Sequence, residues 1–197
     1  MPAGRPRQFD PSTAVNQAME LFWARGYEAT SLQELLGATG LSRSSLYQTF
    51  GGKHDLFERC LERYRDIVVD GMRQRLEDAP SGRTFIEDSL RSTLTEQRSP
   101  SGPRGCLVLN TANEFAHRDP LITARVRAGV DSFRDVFAEA VRRGQADGSI
   151  RSGGDPQRLA AYIVAGMGGL RTLVKADERQ ECVQDALEVL LLPLDRD

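Results

Sequence analysis

Residues 30–56 read TSLQELLGATGLSRSSLYQTFGGKHDL, and they carry the signals of two short helices joined by a tight turn. Ser31 lies three residues before Glu34, which is the spacing of a capping box at the start of a helix. Gly40 can adopt backbone conformations that turn the chain, and Ser42 is a good N-cap for the next helix. Two short helices joined in this way predict a helix-turn-helix.

Longer helices are predicted on both sides of this motif. Asp10 is a suitable N-cap and Pro11 a suitable first helical residue, and apolar side chains follow on one face at residues 14, 18, 21 and 22. After Gly52, apolar side chains recur at helical spacing from Leu56 to Met72, which predicts a helix that runs to about residue 78. This helix would link the motif to the rest of the chain.

The remainder of the chain is also predicted to be helical, because breakers rich in glycine and proline separate segments of helical periodicity and no convincing strand remains. The expected helices span residues 82–97, 104–116, 119–147, 155–175 and 178–192. The predicted fold class is all-α with roughly nine helices. A three-helix helix-turn-helix domain is expected over residues 1–52, and a second helical domain over residues 53–197.

The composition predicts a globular cytoplasmic protein with free thiols. The 197 residues can bury a substantial core, and the formal net charge is −2. Three cysteines lie far apart and form no CxxC or cysteine/histidine cluster, so we expect no metal site. The sequence has no apolar run long enough for a membrane span and no apolar centre of a signal peptide.

The sequence argues against an enzyme. It has no glycine-rich phosphate loop after a strand, and it offers only two histidines as bases. We therefore expect no catalytic residues and no cofactor.

The motif over residues 30–56 closely resembles the signature of the TetR/AcrR family of transcriptional regulators. The shared features are a threonine before the second helix, a glycine–apolar–serine turn at residues 40–42, a Leu-Tyr pair at residues 46–47, Phe50, and a lysine at residue 53 followed by Leu56. Thr39 replaces the usual alanine, and Ser45 stands where the family often has glycine or alanine. The resemblance is strong over residues 8–57, whereas the rest matches only in length and helical character.

The resemblance implies a homodimeric repressor that binds double-stranded DNA at a palindromic operator. Release from the operator would follow binding of a small-molecule or electrophile effector in the second domain, which is then an effector-binding and dimerisation domain. A single helix-turn-helix contacts only a short half-site of DNA, which also favours a two-fold dimer on an inverted repeat. The alternative is a constitutive DNA-binding regulator or activator without an effector.

By analogy with the family, Arg43 and Ser44 lie near the start of the recognition helix. Arg43 is our candidate base reader, because arginine can pair with atoms O6 and N7 of guanine; the alternative is a contact to phosphate alone. Neighbouring hydroxyl, amide and ammonium groups are expected to hold phosphates and set the register. These groups belong to Thr30, Gln33, Tyr47, Thr49 and Lys53, and Ser42 at the start of the recognition helix is also a candidate DNA-binding residue. Arg5 and Arg7 would either enter the minor groove or form an arm without a role in binding.

Cys106 is the candidate sensor of the second domain. The predicted helix places it in the first turn, where the helix dipole and Arg104 would favour a thiolate. Cys106, Asn110 and Glu114 recur every four residues, which predicts a shared face that could line a pocket. The Arg-Gly-Cys-Leu run also resembles a subgroup of the family in which some members respond to electrophiles or oxidants through a cysteine. The alternative is a small buried apolar residue at a helix junction.

Three other features of the second domain have two interpretations each. Lys175, one of only two lysines, could approach Cys106 and trap an oxidised sulfur, or it could be an exposed lysine that complements a helix dipole. The small residues of YIVAGMGGL, residues 162–170, could form a dimer face or pack within the chain. Several large side chains could line a cavity for a small apolar effector, although most are expected to be core: Met72, Phe85, Phe133, Phe137, Tyr162 and Met167.

Overall fold

The computed structural model describes residues 10–96, 102–115 and 118–195. Across these ranges the chain forms nine α-helices and one short 3₁₀ helix, and no strand, which confirms the predicted all-α class. The α-helices are α1 (Pro11–Arg25), α2 (Leu32–Thr39), α3 (Arg43–Phe50), α4 (Lys53–Asp78), α5 (Gly82–Glu96), α6 (Leu107–Phe115), α7 (Pro120–Ala146), α8 (Pro156–Lys175) and α9 (Gln180–Leu191). Arg5 and Arg7, the candidates for a minor-groove arm, lie outside the described residues. No helix of the described ranges is long and apolar enough to cross a membrane.

The helix-turn-helix forms as the local sequence signals predict. Asp10 caps α1 by accepting the backbone N–H of Ser12 at 3.0 Å. Ser31 and Glu34 form the complete capping box at the start of α2. Gly40 ends α2 in the left-handed region with φ of 66°, where glycine carries no side-chain penalty. These caps fix where each short helix begins and ends, so α3 follows α2 after a tight turn.

Helix α4 packs against both halves of the molecule. Near its start, the ring of Phe57 contacts Phe22 of α1 edge to face, with centroids 4.8 Å apart. Near its end, the guanidinium of Arg143 on α7 donates hydrogen bonds to the carbonyls of Leu76 and Ala79. The predicted boundary between residues 52 and 53 falls at the first residue of this shared helix, and it stays a prediction.

Helices α5 to α9 enclose the core of the second half. Phe85 of α5 and Phe137 of α7 are both buried, with ring centroids 5.7 Å apart. Gly82 lies so close to the backbone of Ala140 and Gly144 that a Cβ atom there would overlap α7. The small residue therefore allows α5 to pack directly on α7.

Helix α6 begins later than predicted. The sequence favoured a start at residue 104, whereas the helix begins at Leu107 because Gly105 has φ of 67°, outside the helical region. Cys106 is therefore the residue before the helix, where its carbonyl accepts the backbone N–H of Asn110 at 2.8 Å. The expectation that Cys106 lies within the first helical turn was therefore wrong, because the helix begins one residue after it.

Candidate DNA-binding surface and effector cavity

The third helix presents a polar face to solvent and an apolar face to the core. Leu46 and Phe50 are buried beneath it, whereas Arg43 and Ser44 are exposed and Tyr47 is 50% exposed. Gln48 is exposed as well, and it was missed at the sequence level although it follows Ser44 by the four residues that place side chains on one helical face. The exposed polar groups of α3 are of the types that contact base edges and phosphates.

The residues around α3 differ in how far their polar groups are available. Gln33 is exposed and Thr49 is half-buried. Ser42 is exposed, but its hydroxyl accepts the backbone N–H of Ser45 at 3.1 Å and so serves as the N-cap of α3. The ammonium of Lys53 lies 4.1 Å from the ring centroid of Tyr27, a cation–π contact that orients it at the start of α4.

Thr30 occupies a different environment from the one expected of a phosphate contact. Its side chain is fully buried, and its hydroxyl donates to the carbonyl of Gly26 at 2.6 Å. The hydroxyl therefore holds the turn between α1 and α2. We do not include Thr30 in the proposed interface with DNA.

Cys106 lines a small cavity among α4 to α8, which we call the inner chamber. This chamber has a volume of about 60 Å³, and the Cys106 side chain is only 3% exposed. Four of the large apolar side chains considered for a cavity line it: Met72, Phe133, Phe137 and Met167. Phe85 instead lines a neighbouring open groove, and Tyr162 is exposed on α8.

The neighbouring groove, which we call the outer groove, has a volume of about 620 Å³. It adjoins the inner chamber, because five residues line both: Val68, Arg75, Ser89, Ser92 and Arg171. Tyr64 also lines the outer groove, and burial together with the nearby Cys106 thiol raises the pKa of its hydroxyl. The outer groove and the inner chamber that Cys106 lines are therefore adjacent.

The other candidate sensor residues, Asn110, Glu114 and Lys175, lie away from the inner chamber and close to one another. All three line a groove of about 410 Å³ between α1 and α6, and none lines the inner chamber with Cys106. The amide of Asn110 turns back to donate to the carbonyl of Arg104 at 2.9 Å. Glu114 accepts the backbone N–H groups of Tyr27 at 3.0 Å and Glu28 at 2.7 Å, and it thus ties α6 to the turn before α2.

The segment before α6 is also tied to α1. The indole N–H of Trp23 donates to the carbonyl of Gly105 at 3.0 Å, and the guanidinium of Arg104 lies 4.0 Å from the centroid of the same ring. Arg104 completes the contact with an ion pair to Glu20 at 2.9 Å. We call Glu20, Trp23, Arg104 and Gly105 the α1–α6 clamp. Sequence reasoning missed it, because its partners are 81 to 84 residues apart and no local pattern joins them.

A cluster of charged groups joins the starts of α4 and α7. Atom Nε2 of His54 lies 2.6 Å from a carboxylate oxygen of Asp119, and Arg125 pairs with Glu58 at 3.2 Å. Hydrogen bonds from the backbone N–H of Ile122 and with His54 lower the pKa of Asp119. The same cluster contains three side chains of types that can ligate metals, namely His54, Asp55 and Glu58, and their ligand atoms lie within 4.8 Å of one another. Within the ranges that the structure describes, this is the one such group of three or more histidine, cysteine, aspartate or glutamate residues.

Helices α8 and α9 carry exposed apolar side chains. Tyr162 is 40% exposed, Val189 61% and Leu192, just after α9, 59%. Gly166 packs against Leu190 of the same chain, where a Cβ atom would overlap, whereas Gly169 has open space beside it. The small residues of α8 thus serve packing inside the chain at one position and leave an accessible surface at another.

Comparison with known proteins is consistent with both halves of this architecture. Residues 14–60 match the family model of bacterial regulatory proteins of the tetR family, and residues 86–190 match that of the tetracyclin repressor-like C-terminal domain. The HTH-type transcriptional regulator YezE of Bacillus subtilis (strain 168) is 30% identical over 193 residues, which cover 98% of this chain and 100% of YezE. The HTH-type transcriptional repressor ComR of Escherichia coli (strain K12) is 30% identical over 161 residues, which cover 81% of this chain and 77% of ComR.

A solved structure extends the similarity to three dimensions. A cysteine mutant of the TetR family transcriptional regulator CifR, in complex with a 26-base-pair operator DNA, is 33% identical and superposes with a TM-score of 0.82. The match covers 98% of this chain and 100% of the CifR chain. The predicted family is thereby confirmed: the chain belongs to the TetR family and is a DNA-binding transcriptional regulator.

Proposed function

We propose that the protein is a dimeric repressor that binds an inverted-repeat operator through α3. It leaves the operator when an effector occupies the inner chamber or modifies Cys106. The repressor ComR and the operator complex of CifR support the first part of this proposal. Arg43 of α3 would read a base edge, and polar side chains on and around α3 would position this helix on phosphates. These side chains belong to Gln33, Ser42, Ser44, Tyr47, Thr49 and Lys53.

One observation carries the proposed coupling between effector and DNA. Cys106 lines the inner chamber, while Arg104 and Gly105, the two residues before it, are held by Trp23 of α1. A group added at Cys106 has little room in a chamber of about 60 Å³, so it would displace this segment. Because α1 packs against α2 and α4, movement of the clamp would change the placement of α3. An effector switches such an equilibrium only by favouring the released arrangement.

The exposed apolar side chains of α8 and α9 support the dimer. Large apolar surfaces of this kind mark protein–protein contacts when they form a continuous patch. The open space beside Gly169 would let the partner's backbone approach closely. A two-fold contact there would place two α3 helices on one operator.

Operator release by a thiol-specific alkylating agent tests this proposal. An operator selected in vitro from random DNA would be labelled, and its anisotropy followed as N-ethylmaleimide is added to the wild type, to Cys106→Ser and to Cys182→Ser. We expect release from the wild type and from Cys182→Ser, and retention by Cys106→Ser. Burial raises the pKa of the Cys60 thiol, so this third thiol should stay unreactive.

Each result separates the proposal from its alternative. Equal release from the Cys106→Ser variant would contradict a role for this thiol. Failure of every small molecule and electrophile to release the wild type would instead favour a constitutive regulator. A reporter gene placed behind the selected operator would distinguish repression from activation, because repression predicts higher expression when the regulator is deleted.

A further inference from the structure

The polar groups of the inner chamber are concentrated where it meets the outer groove. Arg75, Ser89, Ser92 and Arg171 line both cavities, whereas the deeper wall of the inner chamber is apolar apart from Cys106. We infer that the inner chamber binds a short-chain carboxylate, with its apolar tail inside and its head group at this polar boundary. The inference rests on the proposed function in taking this chamber as the effector site.

Ser89 supplies an unused hydrogen-bond donor at the boundary. Its side chain is 9% exposed, and its hydroxyl oxygen is buried without a hydrogen-bond partner. The hydroxyl of neighbouring Ser92, in contrast, already donates to the carbonyl of Ser89 at 2.7 Å. A buried hydroxyl without a partner is costly, so a ligand oxygen that accepts its proton would be favoured.

The charge of the boundary selects an anion. Arg75 and Arg171 both line it, and no acidic side chain lines the inner chamber within the part of the chain that the structure describes. Asp78 and Asp88 lie further out, in the outer groove. A carboxylate matches arginine with charge-assisted hydrogen bonds, whereas an ammonium group would be repelled.

The apolar wall of the inner chamber limits the length of the ligand's apolar tail. Met72, Phe133, Phe137 and Met167 surround the space, and methionine side chains adapt to irregular apolar shapes. Each buried methylene adds roughly fourfold to affinity until the space is full. A chamber of about 60 Å³ therefore favours a tail of a few carbons over a long acyl chain.

Isothermal titration calorimetry of the full chain tests the ligand class. The probes are butanoate, hexanoate and decanoate, with 1-hexanol and hexylamine as controls for the head group. We expect hexanoate to bind more tightly than the alcohol and the amine, and more tightly than decanoate.

Two variants at the boundary make the test specific. Arg75→Gln should weaken hexanoate binding by about tenfold or more, and Ser89→Ala by about threefold to tenfold. Arg73→Gln, an exposed change on the same helix that does not line either cavity, should leave binding unchanged. Equal binding of hexanol, tighter binding of decanoate or of hexylamine, or unchanged affinity in Arg75→Gln would overturn the inference.

Operator anisotropy separates this inference from the proposed function. If alkylation of Cys106 releases the operator but hexanoate does not bind, the ligand class is wrong and the proposed release mechanism stands. If hexanoate binds as expected but neither it nor the alkylating agent releases the operator, the ligand class stands and the proposed function fails.

Discussion

At the scale of single residues, the base-reading role rests on Arg43. It is the first residue of α3, and its side chain is exposed beside Ser44. For Arg43→Ala we expect a loss of about 1–3 kcal/mol in binding to the selected operator and relaxed sequence preference at one base pair. Anisotropy titrations against operators changed one base pair at a time measure both effects, with Arg73→Ala as the control. Equal weakening on every sequence, with a smaller salt dependence, would show a phosphate contact instead.

Thr30 illustrates a different role for a residue of the same motif. Because its buried hydroxyl donates to Gly26, Thr30→Val should destabilise the protein by about 1 kcal/mol. Urea denaturation measures this change. Operator affinity, measured at low temperature where the variant is folded, should match the wild type. A loss of operator affinity without any loss of stability would show that the residue contacts DNA.

Local sequence signals predicted which residues cap the helices, but they did not predict contacts between residues that are distant in the sequence. The roles of Asp10, Ser31 and Ser42 could be predicted because each contacts a backbone group within three residues. The burial of Thr30 and the contacts of Glu114 depend on elements brought together by folding. A four-residue spacing placed Glu114 on the face of Cys106, yet its carboxylate binds the turn before α2.

At the scale of elements, the junction of α4 and α7 should respond to acid. Asp119 caps α7 by accepting the backbone N–H groups of Leu121 and Ile122, and its pKa is lowered from 3.8 in the folded state. Its contribution to stability is therefore fully present above pH 3.8 and is lost as the pH falls through the lower folded value.

Thermal denaturation between about pH 3 and pH 6 checks this dependence. The difference in Tm between the wild type and Asp119→Asn should be largest at the upper end of this pH range. It should shrink as the pH falls below 3.8, the pKa of the Asp119 carboxyl in the unfolded chain. Asp70→Asn, at an exposed position of α4, is the matched control. A difference that grows as the pH falls would contradict the assigned sign.

Most helices could be predicted from periodicity and breakers, but the start of α6 could not. Arg104, Gly105 and Cys106 precede the helix because Gly105 adopts a positive φ and because Trp23 binds its carbonyl. Neither cause leaves a periodic signal. The inner chamber could likewise be predicted only as a set of candidate large side chains, since its shape depends on how α4 to α8 pack together.

At the scale of the whole molecule, DNA binding should depend on dimerisation through α8 and α9. Val189→Glu places a charge on the exposed apolar surface of α9, and a buried unpaired charge at an interface is costly. We expect a monomer by light scattering and a large loss of operator affinity. Leu121→Glu, which changes a similarly exposed apolar residue at the start of α7, should remain dimeric. A dimeric Val189→Glu would place the interface elsewhere.

Events at Cys106 are proposed to reach α3 through the α1–α6 clamp. Trp23 is the sole tryptophan of the chain and lies within the clamp, between Arg104 and Tyr64, so its fluorescence reports on this contact directly. The most direct measurement follows Trp23 fluorescence and operator anisotropy together after rapid mixing with N-ethylmaleimide. We predict that both signals change with the same rate constant in the wild type and that neither changes in Cys106→Ser. Operator release without any change at Trp23 would contradict the account.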